Sequence, residues 1–446
     1  MNEPNLLLDA LLDEAGISYA GLASRLNQAT RTSGAASRYD HASVRRWVRD
    51  HAIPRGNVPD LICDLLGARL QRALTLADIG MDRAASDLPE TPVHAAIAQA
   101  AALWRGDHKR SEFVAQTATL RGAAAVAAVF AWENPPDDID VSHHGRLAVG
   151  RGDVERIRAA RDLYEQMYRR VGGVPVRPRV VAYLHNHVAP FVRGAYDDAT
   201  GRALLRATGG LVALAGISAY DSDQQALAQR YLLYALRLAK ASGHRGFGGY
   251  VLALLANQAM YRGDYRRVLQ YAQTALRGAD GQLSPALTVD LHTLQAKAFA
   301  RIGDHAGSRR RMRAAERILV LPENEPPETG YVQPGLVETQ HADVLRRLGD
   351  LTAAQAYAEE SVRTAGTCHL RGQAHRLATL AQIHGQQGDA EQAAAIGHQM
   401  LDRAQGMESA RIADRVRRLA NDLKAYDTQP VRDFRDRAAY LTVGPL

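Results

Sequence analysis

Two groups of residues in this chain have types and spacings suited to recognition. The first is Arg45, Arg46 and Arg49, which with Ala42 fall at i, i+3, i+4 and i+7 and so share one helix face. Val44, Trp47 and Val48 take the opposite face. A guanidinium can hold guanine O6 and N7 with two hydrogen bonds and can also anchor a phosphate. Ser43, near the helix start, could join the backbone N–H groups there in holding a phosphate. The bland alternative is a solvated basic face on an ordinary helix.

The second group is Asn257, Lys297, Asp343 and Gln382. Each directly follows an alanine (Ala256, Ala296, Ala342, Ala381) that sits seven residues before a glycine. By the same register, Tyr250, Met260, Tyr261, Arg301, Arg346 and His375 are their neighbours. Amide side chains can pair with a peptide N–H and C=O together, so such a row beside tyrosines suits an extended peptide. The alternative is a set of solvated polar positions.

The elements that position the second group are repeats. Gly263-Asp264, Gly303-Asp304, Gly349-Asp350 and Gly388-Asp389 recur at offsets of 40, 46 and 39 residues, each opening a helix rich in Ala, Leu and Arg. That period marks a helical solenoid, in which the glycine supplies a turn and the aspartate caps the following helix. A weaker unit has Gly216 and a turn near Asp223. An unrelated helical bundle is the competing architecture.

The first group sits on the third of several short helices. Leu6 to Ala15 reads as a helix ended by Gly16, Ser18 caps a second with Leu22, Ala23 and Leu26 inward, and Asp40 caps the third. Asn27 to Arg38 is polar and reads as a loop, in which Arg31 and Arg38 could contact a DNA backbone. Residues 25–55 carry a net charge of +5 within a segment, 1–80, that is neutral in total.

Composition limits what else the chain can be. Its 446 residues are 46% hydrophobic and 6% aromatic, a balance that favours helix over sheet. Two cysteines, Cys63 and Cys368, make no disulfide framework, so a reducing cytoplasm is expected. No basic run precedes an apolar core, and the longest apolar stretch, 122–132, is too short to span a bilayer. No P-loop, dinucleotide fingerprint or nucleophile elbow occurs, so neither an enzyme nor a cofactor is expected. His143-His144 and His185-Asn186-His187 lack the i, i+4 spacing of a zinc helix, and no metal site is expected.

The N-terminal pattern, with Leu22-Ala23, then Ser43-Val44-Arg45-Arg46-Trp47, then Ile53-Pro54-Arg55-Gly56, resembles helix-turn-helix regulators of the lambda-repressor (Xre) type. Its departure is a longer loop after helix two. The segment Gly263-Asp264-Tyr265 to Leu276 is similar to tetratricopeptide repeats. The combination resembles actinobacterial developmental and antibiotic-control regulators, to which Gly194-Ala195-Tyr196-Asp197-Asp198 and Ala219-Tyr220-Asp221 are also similar. More distantly it resembles the peptide-sensing RRNPP regulators of Gram-positive bacteria. These resemblances imply a cytoplasmic homodimer that binds an operator in double-stranded DNA, as a repressor, under control of a small peptide or other small-molecule effector, as in quorum sensing.

The expected organisation is all-α. A helix-turn-helix domain spans 1–80, a linker 81–92, a helical connecting region 93–208, a tetratricopeptide-like sensor 209–426 and a tail 427–446. The different-class alternative is an adaptor whose solenoid docks a protein without specific DNA binding.

Overall fold

The computed structural model describes residues 4–32, 39–54, 58–72, 74–76, 78–81, 92–109, 119–120, 122–318, 320, 325–366 and 369–443. Among these residues the fold is all-α, with isolated bridges at His143–Tyr196 and Ala148–Ala195 but no strand.

Asn5 caps α1 (Leu6–Ala15) by accepting from Leu8 N at 3.0 Å, and Gly16 ends it at φ 65°. α2 (Tyr19–Thr32) runs past Asn27, where the sequence reading placed a loop. No glycine or proline lies between Asn27 and Gly34, so nothing stops the helix at Asn27. Arg31 therefore lies in the last turn of α2, while Arg38 falls outside the described residues. α3 (His41–Arg49) and α4 (Val58–Leu70) complete the bundle, whose core runs from Leu8 to Met81. Residues 82–91, most of the expected linker, also fall outside the described set.

The region 93–208, expected to be a connector, shares one continuous apolar core with the repeats as far as Ala298. It comprises α5 (Val93–His108), α6 (Gly122–Glu133), α7 (Arg151–Val171), α8 (Gly173–Tyr183) and the single turn α9 (Ala189–Val192), the last two joined by a π turn. Trp104 and Trp132 are fully enclosed in this core, which is why these Ala-rich helices carry their few large residues there. α5 also docks on α1, with Lys109 paired to Asp13 at 2.5 Å.

Five antiparallel pairs follow: α10 (Asp198–Asp221) with α11 (Gln225–Ser242), α12 (Arg245–Tyr261) with α13 (Tyr265–Gly278), α14 (Pro285–Ile302) with α15 (His305–Glu316), α16 (Leu336–Leu348) with α17 (Leu351–Arg363), and α18 (Leu370–Gln387) with α19 (Ala390–Arg403). The repeated phrase acts as its chemistry requires. Gly263, Gly303, Gly349 and Gly388 hold φ between 77° and 87°, the left-handed region that glycine tolerates. Asp264, Asp304, Asp350 and Asp389 each accept a backbone N–H three residues on, at 2.7–3.3 Å. In the weak first unit Asp223 takes the left-handed position at φ 58°. The alanines at the helix crossings are fully buried.

α20 (Ala410–Asp422) and α21 (Gln429–Val443) close the array. The expected tail is thus a packed helix: Val431 and Phe434 are fully buried, and the Phe434 ring sits against Gly397. α10 is long and apolar enough to cross a membrane, but most of it is buried inside the fold.

The array bends until its two ends meet. Glu408 N donates to Val171 O at 2.9 Å, and Val174 N donates to Glu408 O at 3.4 Å. A side chain at Gly172 would collide with the Glu408 carbonyl, so glycine permits this approach. The concave face becomes the wall of a partly enclosed cavity.

Candidate functional site

The basic face of α3 is built from its cap upward. Asp40 accepts from the Ser43 backbone N–H and from the Ser43 hydroxyl, both at 2.8 Å, closing a capping box. These hydrogen bonds hold the Asp40 carboxyl below the usual carboxylate range. Ser43 is buried and already engaged, and a carboxylate beside it disfavours a phosphate. Its part in phosphate binding is therefore corrected to a capping role.

Val44, Trp47 and Val48 are buried behind α3, with the Trp47 ring edge-on to Tyr39 at 5.3 Å. The Asn27 amide bonds both the N–H and the C=O of Tyr39 at 2.7 Å, fixing the approach to α3. At the other end Asn5 N donates to Val48 O at 2.7 Å. Held at both ends, α3 turns Ala42, Arg45 and Arg46 to solvent and leaves Arg49 half-exposed. The expected face is present as a face, on a rigid backing.

The second site is the cavity, of about 250 Å³. Of the residues singled out in the sequence, Tyr250, Asn257, Lys297, Asp343 and His375 line it together. Tyr261, Arg301 and Gln382 do not. Tyr261 donates to Asp414 at 2.5 Å, Arg301 pairs with Asp343 at 3.3 Å from behind, and Gln382 is half-buried beyond the wall. The curvature accounts for Gln382: on α18 the wall is formed one and two turns earlier, by Thr379 and His375.

Sequence reasoning missed the residues that close the cavity. Tyr168 comes from α7, Tyr220 from α10, Arg371 from α18, and Arg411 and Arg415 from α20. A signal existed in the four-residue spacing of 371, 375 and 379 and of 411 and 415, polar positions among buried apolar ones. The front is covered by a strap, 325–335, and this strap accounts for the one long repeat offset, 46 instead of 40. Tyr331 of the strap lines the cavity and donates to Asp290 at 2.6 Å, and Glu325 accepts from Ala286 N at 3.0 Å.

The electrostatics of the wall are uneven. Asp343 accepts from Arg346 at 2.8 Å and also faces Lys297 and Arg301, which together keep its carboxyl well below the usual range despite burial. Burial, opposed in part by Asp343, pushes the Lys297 ammonium down to about 8. Burial pushes the Asp290 carboxyl up to about 6. Arg415 is brought down to about 10 by burial, with Arg411, Arg346 and Arg418 adding to that effect and Asp343 opposing it. His375 is held neutral by burial and by the surrounding cations, Arg371 first among them.

Residues 8–82 match the SP15 N-terminal domain. The matched span coincides with the core that runs from Leu8 to Met81, so the SP15-matching segment is the unit that carries α3. No curated protein matches the chain.

Proposed function

We propose that the protein is a ligand-responsive, sequence-specific DNA-binding transcription regulator of repressor type. In this reading the SP15-matching bundle reads DNA and the closed solenoid senses an effector. The observation that carries the reading is α3, a short helix fixed at both ends whose one outward face holds Arg45 and Arg46 beside the small residue Ala42. A helix of this form fits a major groove, with arginine as the commonest reader of guanine. The resemblance to Xre-type regulators with tetratricopeptide-like repeats points the same way.

One bundle buries little surface, so specific binding calls for a homodimer on paired half-sites, in which α3 of each copy enters successive major grooves. The test is electrophoretic mobility shift of the full chain on its own promoter region across a salt series. Specific retardation that weakens steeply with salt supports the reading. No retardation of any duplex, with retention of a protein partner on the solenoid, gives the adaptor reading instead.

A further inference from the structure

Among the described residues, two arginines of α20 face the cavity with no carboxylate in direct contact. There Arg415 Nη1 bonds the Thr379 hydroxyl, at 3.3 Å. The Arg411 guanidinium lies over the Tyr220 ring at 4.3 Å, and its Nε is buried with no hydrogen bond. Both ring nitrogens of His375, on the facing helix α18, are likewise buried and unbonded. Lys297 completes the cluster from α14; its donor bond goes to Gln340 Oε1 at 2.7 Å, and the shared Asp343 carboxylate is 3.9 Å away.

Such an arrangement is costly in an empty protein. One carboxylate, Asp343, is shared among Lys297, Arg301, Arg346 and Arg415, so each cation loses hydration for only part of a counter-charge, and a buried donor left unbonded adds to that cost. Folding alone gives no reason to collect Arg411, Arg415, Lys297 and His375 around one space. A bound anion would repay the cost, because the field that disfavours each cation favours negative charge. The rest of the wall is mixed: Leu214, Leu254, Tyr220 and Tyr250 give it an apolar and aromatic part, and its carboxylates, Glu165, Asp290 and Asp343, are outnumbered by its cations.

Size narrows the occupant. An engineered cavity of about 150 Å³ holds benzene, so about 250 Å³ admits on the order of ten to fifteen non-hydrogen atoms. A compact molecule of that size fills the space.

We propose that the cavity binds a small organic anion, with a carboxylate or phosphate group held by Arg411, Arg415, Lys297 and His375 and an apolar or aromatic body against the tyrosine-lined wall. This assignment deepens the sensor reading of the solenoid and names the class of its effector.

The test is calorimetric titration of the full chain, without DNA, with phenyl phosphate, benzoate and, as the cationic control, phenethylamine. One-to-one binding of phenyl phosphate or benzoate, and none of phenethylamine, is expected; the tighter of the two anions identifies the head group. Arg415→Met should weaken that binding about tenfold or more while raising the melting temperature of the unliganded protein, since it removes a buried cation with only a shared counter-charge. A merely structural arginine would give a lower melting temperature instead.

A pH series with benzenesulfonate, whose charge is constant, adds a second readout. Lys297 is faced by Asp343, His375, Asp290, Arg301, Arg411 and Arg415, and between pH 7 and 9 Asp343 stays ionised, His375 neutral, Asp290 ionised and Arg415 protonated. Lys297 alone loses its proton, near pH 8, so affinity should fall as pH rises, and Lys297→Gln should abolish that dependence. Failure of all three anions to bind at millimolar concentration overturns the proposal, as does equal binding by Arg415→Met. Binding only of an acetylated, amidated tripeptide overturns it in favour of backbone recognition. A chain that binds the anion but no duplex keeps this assignment and loses the regulator reading; the reverse result does the opposite.

Discussion

Asp221 and Arg371 lie 150 residues apart in sequence and 2.6 Å apart in space. The Asp221 carboxylate, fully buried at the end of α10, also accepts from Gly173 N and from the Ser409 hydroxyl, each at 2.8 Å. It therefore ties together the start of α8, the cap of α20 and the first turn of α18. Arg371 extends the tie into the cavity, where its guanidinium stands over the Tyr168 ring at 5.0 Å. Burial works against the Arg371 charge, but the Asp221 carboxylate outweighs it and raises the Arg371 pKa, so the guanidinium stays charged.

Removing one partner of a buried ion pair leaves the other uncompensated. Asp221→Ala should cost about 3–5 kcal/mol in denaturant unfolding of the full chain. Arg371→Met should cost less, because Asp221 keeps its bonds to Gly173 and Ser409. Equal losses would show that Asp221 works only through Arg371, and not as the junction of the two ends.

The turn glycines give a local prediction. Gly303 sits at φ 84° with open space around a potential Cβ, so Gly303→Ala tests backbone strain without collision. The expected cost is about 1–2 kcal/mol. Asp304→Ala, which removes the cap on Gly307 N at 2.7 Å, should cost about 1 kcal/mol. Thermal unfolding of the two variants checks both values, and a neutral Gly303→Ala contradicts the left-handed turn.

Asp290 makes stability depend on pH. It faces Tyr331, to which it is bonded, and Lys297. Burial raises its folded pKa from 3.8 to about 6, so the native state holds the proton more tightly than the unfolded chain does. Its contribution to stability is thus full below about pH 4 and is lost as pH rises through about 6, a change of about 3 kcal/mol. Relative to Asp290→Asn, the wild type should lose that amount between pH 4 and pH 7. A constant difference between the two across that range contradicts the assignment.

In the N-terminal bundle, Trp47 and the arginines beside it should separate cleanly. Trp47 is 5% exposed, and Trp47→Ala should destabilise the bundle by roughly 3–5 kcal/mol. Exposed Arg45→Ala and Arg46→Ala should change stability by no more than about 0.5 kcal/mol. Calorimetry should show the Trp47 loss in the transition of α1–α4.

Local chemistry was the legible part of this molecule. The Gly-Asp phrase gave the turns and caps, the buried alanines gave the crossings, and the alternation around Trp47 gave the faces of α3, because each depends on residues within one or two helical turns. Curvature was not legible. Whether Gln382 or Thr379 faces inward depends on angles summed over several repeats, and the contact of Gly172 with Glu408 is set by that sum. The roles of 93–208 and 427–446 were misread for the same reason: their helices bury themselves against partners distant in sequence, and their own patterns do not name those partners.

The central claim is that α3 reads DNA. Selection of the full-length chain against a library of randomised duplexes tests it most directly, with the triple variant Arg45→Ala, Arg46→Ala, Arg49→Ala run in parallel. The wild type should enrich one motif containing guanine, in paired half-sites about one helical turn or a multiple of it apart. Each arginine that reads guanine should be worth about 1–3 kcal/mol, so the triple variant, equally helical by circular dichroism, should enrich none. Enrichment of the same motif by both proteins, or of no motif by the wild type, contradicts the account.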